Sequence, residues 1–383
     1  MGNLDDSYDY QNLVRDVVEV FDQLRVSFPS LISMIPTGPV ARATKHEWLE
    51  DSLSPSASAI ASFDTDGDGT GINLVSTAGI RAGSILRFSK ATGATVTEQV
   101  QVASVDSATA LTVVRDYGGT TGATLVVGDV AKLVSSPLNE STEAGSSDGQ
   151  EPTMAYNYTQ IFERAAQISK TGQNVDIYGL GDALNYQVNA KMTQIVREMN
   201  SALIYGRRVA RSSSTQGSAG GILQYLESGN IDATGGPISP TIINNMLEAI
   251  FQDGGFSNNY AIVCAENQAR KISAFNTSGS NPVISKSADD RTFGGYVSSF
   301  TGDLPVMNGF QAKIVVEPNF LADQIAIVDL NSVEMNWLQN RSIKDEDATP
   351  NGADFVRRRI LGEATFSIKN GTKQHALATG LDL

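Results

Sequence analysis

Asp182 to Gly206 reads DALNYQVNAKMTQIVREMNSALIYG, with no Gly or Pro before its last residue. Leu184, Val188, Ile195, Met199 and Leu203, with Met192 or the stem of Lys191 between them, recur at steps of three and four. That spacing lays apolar side chains along one face of a 3.6-residue helix. Asp182 is placed to cap the start. Gly206 is expected to supply a left-handed exit, and Arg207 and Arg208 put positive charge at the negative end of the helix dipole. Such a rod is about 37 Å long, enough to cross a domain. It is either a scaffold or an ordinary long core helix, and only the flanking sequence separates the two.

A chain of 383 residues exceeds what one hydrophobic core supports, so two or more compact units are expected. Asp and Glu outnumber Lys and Arg by 42 to 28, giving a net charge of −14. A dedicated nucleic-acid binder, which must displace counterions from phosphates with clustered cations, is therefore not expected. The single cysteine, Cys264, lies in the apolar run AIVCA and reads as a small buried hydrophobe, with no partner for a disulfide within the chain. The opening MGNLDDSYDY lacks the charged-then-apolar order of a signal peptide, and no later run is long enough to span a membrane. Asp6 stands where a myristoylation signal requires Ser or Thr.

In chain order, Leu13, Val17, Val18, Phe21, Leu24 and Phe28 mark an amphipathic N-terminal helix ended by Pro29. Pro36, Gly38 and Pro39 then enforce an extended strap that leads to Trp48, and an arm of this kind must pack on its own domain or on a neighbour. From about Leu53 to Gly149 the chain becomes rich in Ser, Thr, Gly and Val. The short runs SILRFSK, TVTEQVQVASV, ALTVVRDY and DVAKLVSS alternate with Gly-bearing turns, as in a small antiparallel barrel or sandwich. NESTEAGSSDGQEP reads as an exposed connection back to the main body. YNYTQIFERAAQISKTGQNVDIYG is a strand-like lead into the long helix, and SPTIINNMLEAIFQDGG is a second helix with Ser239 as cap and Pro240 in its first turn. Tyr260 to Ala265 is a buried strand, NQARKISAF a further helix, and AKIVVEP, QIAIVDL, VEMNWL and RRRILGEATFSIKN supply late β structure. Helices and strands are segregated, which gives an α+β class.

The chemistry of a catalyst is missing from the sequence. With two histidines, His46 in the arm and His375 in the C-terminal tail, and one cysteine, no Cys/His metal cluster can form. GLGDAL at Gly179 lacks the third glycine of a dinucleotide fingerprint. Carboxylate pairs such as Glu47 and Glu50 could be drawn as acid and base, but nothing in the sequence places them in a cleft, and they read as solvated or interface charges. No enzyme activity and no cofactor are expected. No metal is expected either: Asp64, Asp66, Asp68 and Gly69 reproduce half of a calcium loop, but Val75 stands where the bidentate Glu is required. Arg207, Arg208 and Arg211, with Arg357, Arg358 and Arg359, are basic clusters in an acidic chain. They are either a helix terminus and a solvated strand edge, or ion-pair partners for other subunits, and Trp48 in the arm is a candidate for the same role.

ATKHEWLEDSL at Ala43 to Leu53 and NYTQIFERAAQISKTGQNVD at Asn157 to Asp176 resemble the major capsid proteins of tailed bacteriophages. So does the C-terminal order GFQAKIVVEPNFLADQIAIVDLNSVEMNWLQNRSIKDED followed by ILGEATFSIKNGTKQHALATGL. The resemblance covers most of the chain outside the β insertion and departs at Ser27 to Ile35, where the family carries an extra proline and threonine turn.

The resemblance implies the Hong Kong 97-type capsid fold: an N-terminal arm, an extended loop, a peripheral domain built on a spine helix, and an axial domain. Here the arm would be residues 1–52 and the extended-loop region with its inserted β module 53–150. The peripheral domain with the spine would be 151–211, the axial domain 212–316, and the strands returning to the peripheral domain 317–383. The implied function is self-assembly into hexamers and pentamers that form an icosahedral head around double-stranded DNA. Implied partners are the chain itself, scaffolding, portal and decoration proteins, and packaged DNA held only non-specifically, with no membrane. The implied location is the virion, with assembly in the host cytoplasm. The alternative reading is a surface binding or adhesion protein that uses the β module with calcium.

Overall fold

The computed structural model describes residues 31–51, 57–63, 69–90, 96, 98–138, 140, 151–175, 182–255, 257–275, 299–301 and 311–383. The expected N-terminal helix, Asp64, Asp66 and Asp68, the acidic connector at 141–150 and the glycines of GLGDAL lie outside these residues. The chain forms two compact units, one of Leu49–Thr153 and one of Met1–Trp48 with Met154–Leu383.

Strand β1 is Lys45–Glu50. The smaller unit follows as β2 (Ala57–Phe63), β3 (Gly71–Leu74), β4 (Ile85–Ser89), β5 (Gln99–Val105), β6 (Ala110–Val114) and β7 (Val130–Ser135). They close an antiparallel barrel in the order β2-β3-β6-β5-β4-β7. The period-two alternation drives this closure. Ile72 and Leu74, Leu86 and Phe88, Val100 and Val102, Leu111 and Val113 all point inward into one core, and their neighbours face out. Register shifts at Ile60/Ser62, Ile85/Leu86 and Val102/Ser104 bend the strands, which helps so short a sheet to close. Glu98 is buried and takes both Arg115 Nε and, at 2.7 Å, Arg115 Nη2, together with the Ala123 N–H at 2.8 Å. Burial pushes its pKa up, but those hydrogen bonds outweigh it and hold the carboxyl below the usual range.

The larger unit continues with β8 (Thr153–Tyr158), which pairs with β1, then β9 (Gln160–Ser169), α1 (Lys170–Asn174) and the spine α2 (Ala183–Tyr205). The Asp182 carboxylate accepts from Leu184 N and Asn185 N at 3.0 Å each, the cap expected from sequence. Leu184, Ile195, Met199 and Leu203 are buried, and Val188 and Met192 pack against the same clusters. Asn200 is buried too, and its Oδ1 accepts the N–H of Ile32 in a short 3-10 turn, Leu31–Ser33, at 3.1 Å.

The exit of the spine differs from expectation. Gly206 has φ −53° and ψ 145°, so it is not left-handed. It is needed because a Cβ there would stand 2.3 Å from Ala219 O and 2.4 Å from Ala202 O, where the returning chain crosses the helix end.

Next come α3 (Ile222–Leu226), β10 (Asn230–Asp232), α4 (Pro240–Gln252), β11 (Tyr260–Cys264), α5 (Glu266–Ala274), β12 (Ser299–Thr301) and β13 (Gln311–Val316). The chain ends with β14 (Ile325–Asp329), β15 (Val333–Trp337), β16 (Lys344–Asp347), β17 (Phe355–Ile368) and β18 (Ala376–Ala378). The Ser239 hydroxyl caps α4. A six-stranded sheet runs β10-β18-β14-β11-β13-β12. Strand β11 is wholly buried because its two faces serve different cores: Tyr260, Ile262 and Cys264 pack with α4 and α5, while Ala261 and Val263 pack with the C-terminal half of the spine. A strand covered on both sides reads as an unbroken apolar run, not as an alternating one.

Strands β14 and β18 both join this six-stranded sheet, β14 antiparallel to β11 and β18 antiparallel to β14. Helices and strands are less segregated than expected: β11 and β13 pair in parallel with α5 between them in the chain, a crossover unit inside an otherwise α+β fold.

In the second sheet, ten residues of β17 pair with β9 and its other edge pairs with β16 and β15. The strap continues this sheet: Gly38 N donates to Met335 O, Met335 N to Pro36 O, and Ala41 N to Trp337 O, at 2.9–3.0 Å, in parallel register. A Cβ at Gly38 would stand 2.5 Å from Asn336 Nδ2 and 2.6 Å from Glu334 Oε2, so a larger residue there would displace those side chains.

Candidate functional site

Cys264 and His375 are both in the core, whereas His46 on β1 is half-buried. Burial pushes the Cys264 thiol up to about 12 and the His375 imidazole down to about 4. Among the described residues no three His, Cys, Asp or Glu side chains come together to hold a metal. A cleft of about 570 Å3 beside α4 and β10 is lined by Asn230, Asp232, Thr234, Asn245 and Met246, and the Thr234 hydroxyl donates to the Asp232 carboxylate at its rim.

What the structure does concentrate is a polar and aromatic junction where β1, β8, the spine exit and β17 meet. Tyr156 on β8 is covered by two cations, Lys45 Nζ at 4.3 Å and the Arg208 guanidinium at 4.0 Å from the ring centre. Its carbonyl accepts from Arg208 Nη1 at 2.8 Å and from the Tyr225 hydroxyl at 2.9 Å. Trp48 packs between His46 and Tyr225, with ring centres 6.1 and 6.4 Å away. One residue further along β8, buried Asn157 donates to Gly220 O and Phe366 O and accepts from Gly220 N and Tyr158 N. All four hydrogen-bond capacities of the amide are used.

Glu363, 2% exposed on β17, accepts from Thr159 Oγ1 at 2.7 Å and Arg211 Nη2 at 3.0 Å, and its other oxygen lies 2.9 Å from Arg341 Nε. A buried carboxylate facing two half-exposed guanidiniums ties the loop after the spine to the loop after β15. Removing Glu363 leaves both guanidiniums without their shared anion, whereas removing either arginine still leaves the carboxylate one cation.

The candidate contact residues thus divide. Trp48, Arg208 and Arg211 enter the junction. Arg207 stays exposed and pairs with Glu227, whose carboxyl it holds below the usual range. Arg357 donates to Gln167 Oε1, Arg358 to Asp345 and Arg359 to Glu163. At all three positions β17 pairs with β9, and β16 flanks it on the other side at Arg358 and Arg359. Exposed pairs of this kind contribute little to stability on their own. Asp64, Asp66 and Asp68 are outside the described residues. Sequence reading missed Asn157, Thr159, Arg341 and Glu363. The one available signal was Glu363, a lone carboxylate inside the apolar run ILGEATF.

Ile161 on β9 and Val196 on the spine are exposed apolar side chains of the same sheet and helix.

The fold is similar to that of the chain in the capsid of a native GTA particle, at 10% identity over 98% of each chain, with a TM-score of 0.52. It is also similar to the chain in the capsid of an empty GTA particle, at 10% identity over 97% of this chain and 96% of that one, TM-score 0.50. Mycobacterium phage Bobi supplies a further solved structure at 9% identity over 98% of both chains, TM-score 0.49. Among curated proteins none is similar enough to match. At such identities the likeness establishes the fold, an α+β fold of the Hong Kong 97 type. The sequence itself matches the family described as SU10 major capsid protein over residues 3–382, and the chain therefore belongs to that family of capsid-forming virion proteins.

Proposed function

We propose that this chain builds the icosahedral head of a tailed bacteriophage as hexamers and pentamers and encloses double-stranded DNA without binding it tightly. The observation that carries this reading is the family match along nearly the whole chain. The net charge of −14 suits a wall that must release its polyanionic contents. In this reading residues 1–52 are the arm, 53–150 the extended-loop region with the barrel, and 151–211 the peripheral domain. The axial domain is 212–316 with β14 and β18 added, and the rest of 317–383 joins the peripheral domain.

Trp48, Arg208 and Arg211 set the arm and spine exit for assembly, and Arg207 with Arg357, Arg358 and Arg359 exchange their exposed partners for groups on neighbouring copies. The protein acts as a structural subunit with no catalysis or cofactor, assembles in the host cytoplasm, and meets scaffolding, portal and decoration proteins at its surface. The surface-adhesion alternative, with calcium at Asp64, Asp66 and Asp68, gains no support from family or fold. Electron micrographs and sizing of the purified chain test the proposal: shells or closed rings are expected. A chain that stays monomeric at high concentration, also when co-expressed with the proteins encoded beside it, overturns it.

A further inference from the structure

Asn351 and Gly352 form the tip of the turn between β16 and β17, and both are exposed. Gly352 has φ +82°, and a Cβ built there would meet nothing within 4 Å. One hydrogen bond closes the tip, from Ala353 N to Pro350 O at 3.2 Å. Below it the hairpin is held separately, by Ala348 N to Arg357 O at 2.9 Å and Arg357 N to Thr349 Oγ1 at 3.0 Å. The tip can therefore rearrange without parting the strands. No acceptor for the Gly352 N–H exists among the described residues.

We infer that Asn351 is a site of self-catalysed deamidation. The Gly352 amide nitrogen, losing its proton to water, attacks Asn351 Cγ. The new N–Cγ bond closes a five-membered imide, and the Cγ–NH2 bond breaks with ammonia leaving. Water then opens the imide at either carbonyl, giving aspartate or isoaspartate. The step is fastest when the following residue has no side chain to crowd the attack, and it needs a backbone free to swing its nitrogen onto Cγ; this tip offers both. Each event adds one negative charge to a turn that already carries Asp347 and Asp354. Where isoaspartate forms, the main chain is rerouted through the side chain, so that the tip lengthens by one carbon. The charge accumulates with time, which makes the hairpin a record of the particle's age.

The chain carries its own control. Asn370–Gly371 has the same sequence, but Gly371 is buried, with its Cβ position 2.8 Å from Tyr225 Cβ and 3.2 Å from Ile368 Cγ2. The Asn370 carbonyl accepts from both Lys373 N and Gln374 N at 2.9 Å. Packing there blocks the swing. A third pair, Asn308–Gly309, lies outside the described residues.

The test is peptide mapping by mass spectrometry of the full-length chain, folded and urea-unfolded, after incubation in mildly alkaline buffer, beside Asn351→Gln. In the folded chain Asn351 should convert at least ~10-fold faster than Asn370, with both aspartate and isoaspartate formed, and the two should converge on unfolding. Asn351→Gln should lose the acidic species assigned to this turn. An Asn351 that stays intact while unfolded chain reacts, equal rates at the two sites in the folded chain, or aspartate with no isoaspartate each overturns the inference.

Discussion

Asn157 clamps Gly220 from both sides: its Nδ2 donates to the Gly220 carbonyl at 2.9 Å and its Oδ1 accepts the Gly220 N–H at 2.7 Å. The side chain replaces a strand partner for one residue of the loop that leaves the spine, and its remaining bonds to Phe366 O and Tyr158 N anchor that loop to β17 and β8. Asn157→Asp removes the donor and points an anion at two carbonyls. It should lower unfolding free energy by ~3 kcal/mol or more. Urea unfolding checks this, and a loss within about 0.5 kcal/mol would show that the clamp carries no load.

The spine face offers a paired test. Ile195 is fully buried and Gln194 is exposed. Ile195→Asp buries an unpaired carboxylate at a cost of ~4 kcal/mol, and soluble folded protein should largely vanish. Gln194→Asp should stay within about 0.5 kcal/mol of the parent. Thermal melts of both variants decide the helix orientation.

Gly206 and Gly254 separate two reasons for glycine. Gly254 has φ +82° with open space at its Cβ position, so Gly254→Asn should cost less than ~1 kcal/mol. Gly206 has an ordinary φ but no room, so Gly206→Ala and Gly206→Asn should both prevent folding. Recovery of soluble, cooperatively melting Gly206→Asn would contradict the crowding of Ala202 O and Ala219 O.

His375 makes stability pH-dependent. Its Nδ1 accepts the Asp329 N–H at 3.1 Å, and its Nε2 lies 3.2 Å from the Ser332 hydroxyl, which itself donates to Asp329 O. The imidazole is thus neutral with its proton on Nε2, and a second proton would face an N–H. Because the folded pKa, about 4, lies below the unfolded 6.5, the contribution is complete above 6.5. It falls as pH drops through that window, by up to ~1.4 kcal/mol per pH unit. His375→Gln should flatten that part of the profile in urea titrations across acid pH, judged as the difference from the parent. Parallel profiles would place the imidazole in solvent.

The barrel should fold without the remainder of the chain. Leu49–Thr153 has its own core and its own buried ion pair, Glu98 with Arg115. Expressed alone it should melt cooperatively, and Glu98→Gln should remove ~3 kcal/mol by leaving a guanidinium without its anion. A random-coil amide spectrum for the fragment would show dependence on the larger unit.

Local rules were enough for the elements that carry their own information. The period of Leu184, Ile195, Met199 and Leu203, the caps at Asp182 and Ser239, and the alternation in ILRFS and QVQV act within a turn or two of the chain, so the sequence alone determined the spine, α4 and the barrel strands. Resemblance in ATKHEWLEDSL and the C-terminal strands supplied the family, which composition could not. What only the tertiary structure decided depends on partners far apart in sequence. Strand β16, KDED, is wholly exposed and has no apolar face to announce it; it exists because β17 offers a free edge. His375 reads as a polar residue in a tail, yet it is buried because β18 inserts beside β14. Gly206 reads as a left-handed terminator, and only the crossing of residue 219 shows that space is the constraint. Asn157 looks like an ordinary polar residue, and Glu363 only like an isolated carboxylate in an apolar run, until partners 63 and 204 positions away close round them, because a side chain's hydrogen-bonding capacity is written in the sequence and its partners are chosen by packing.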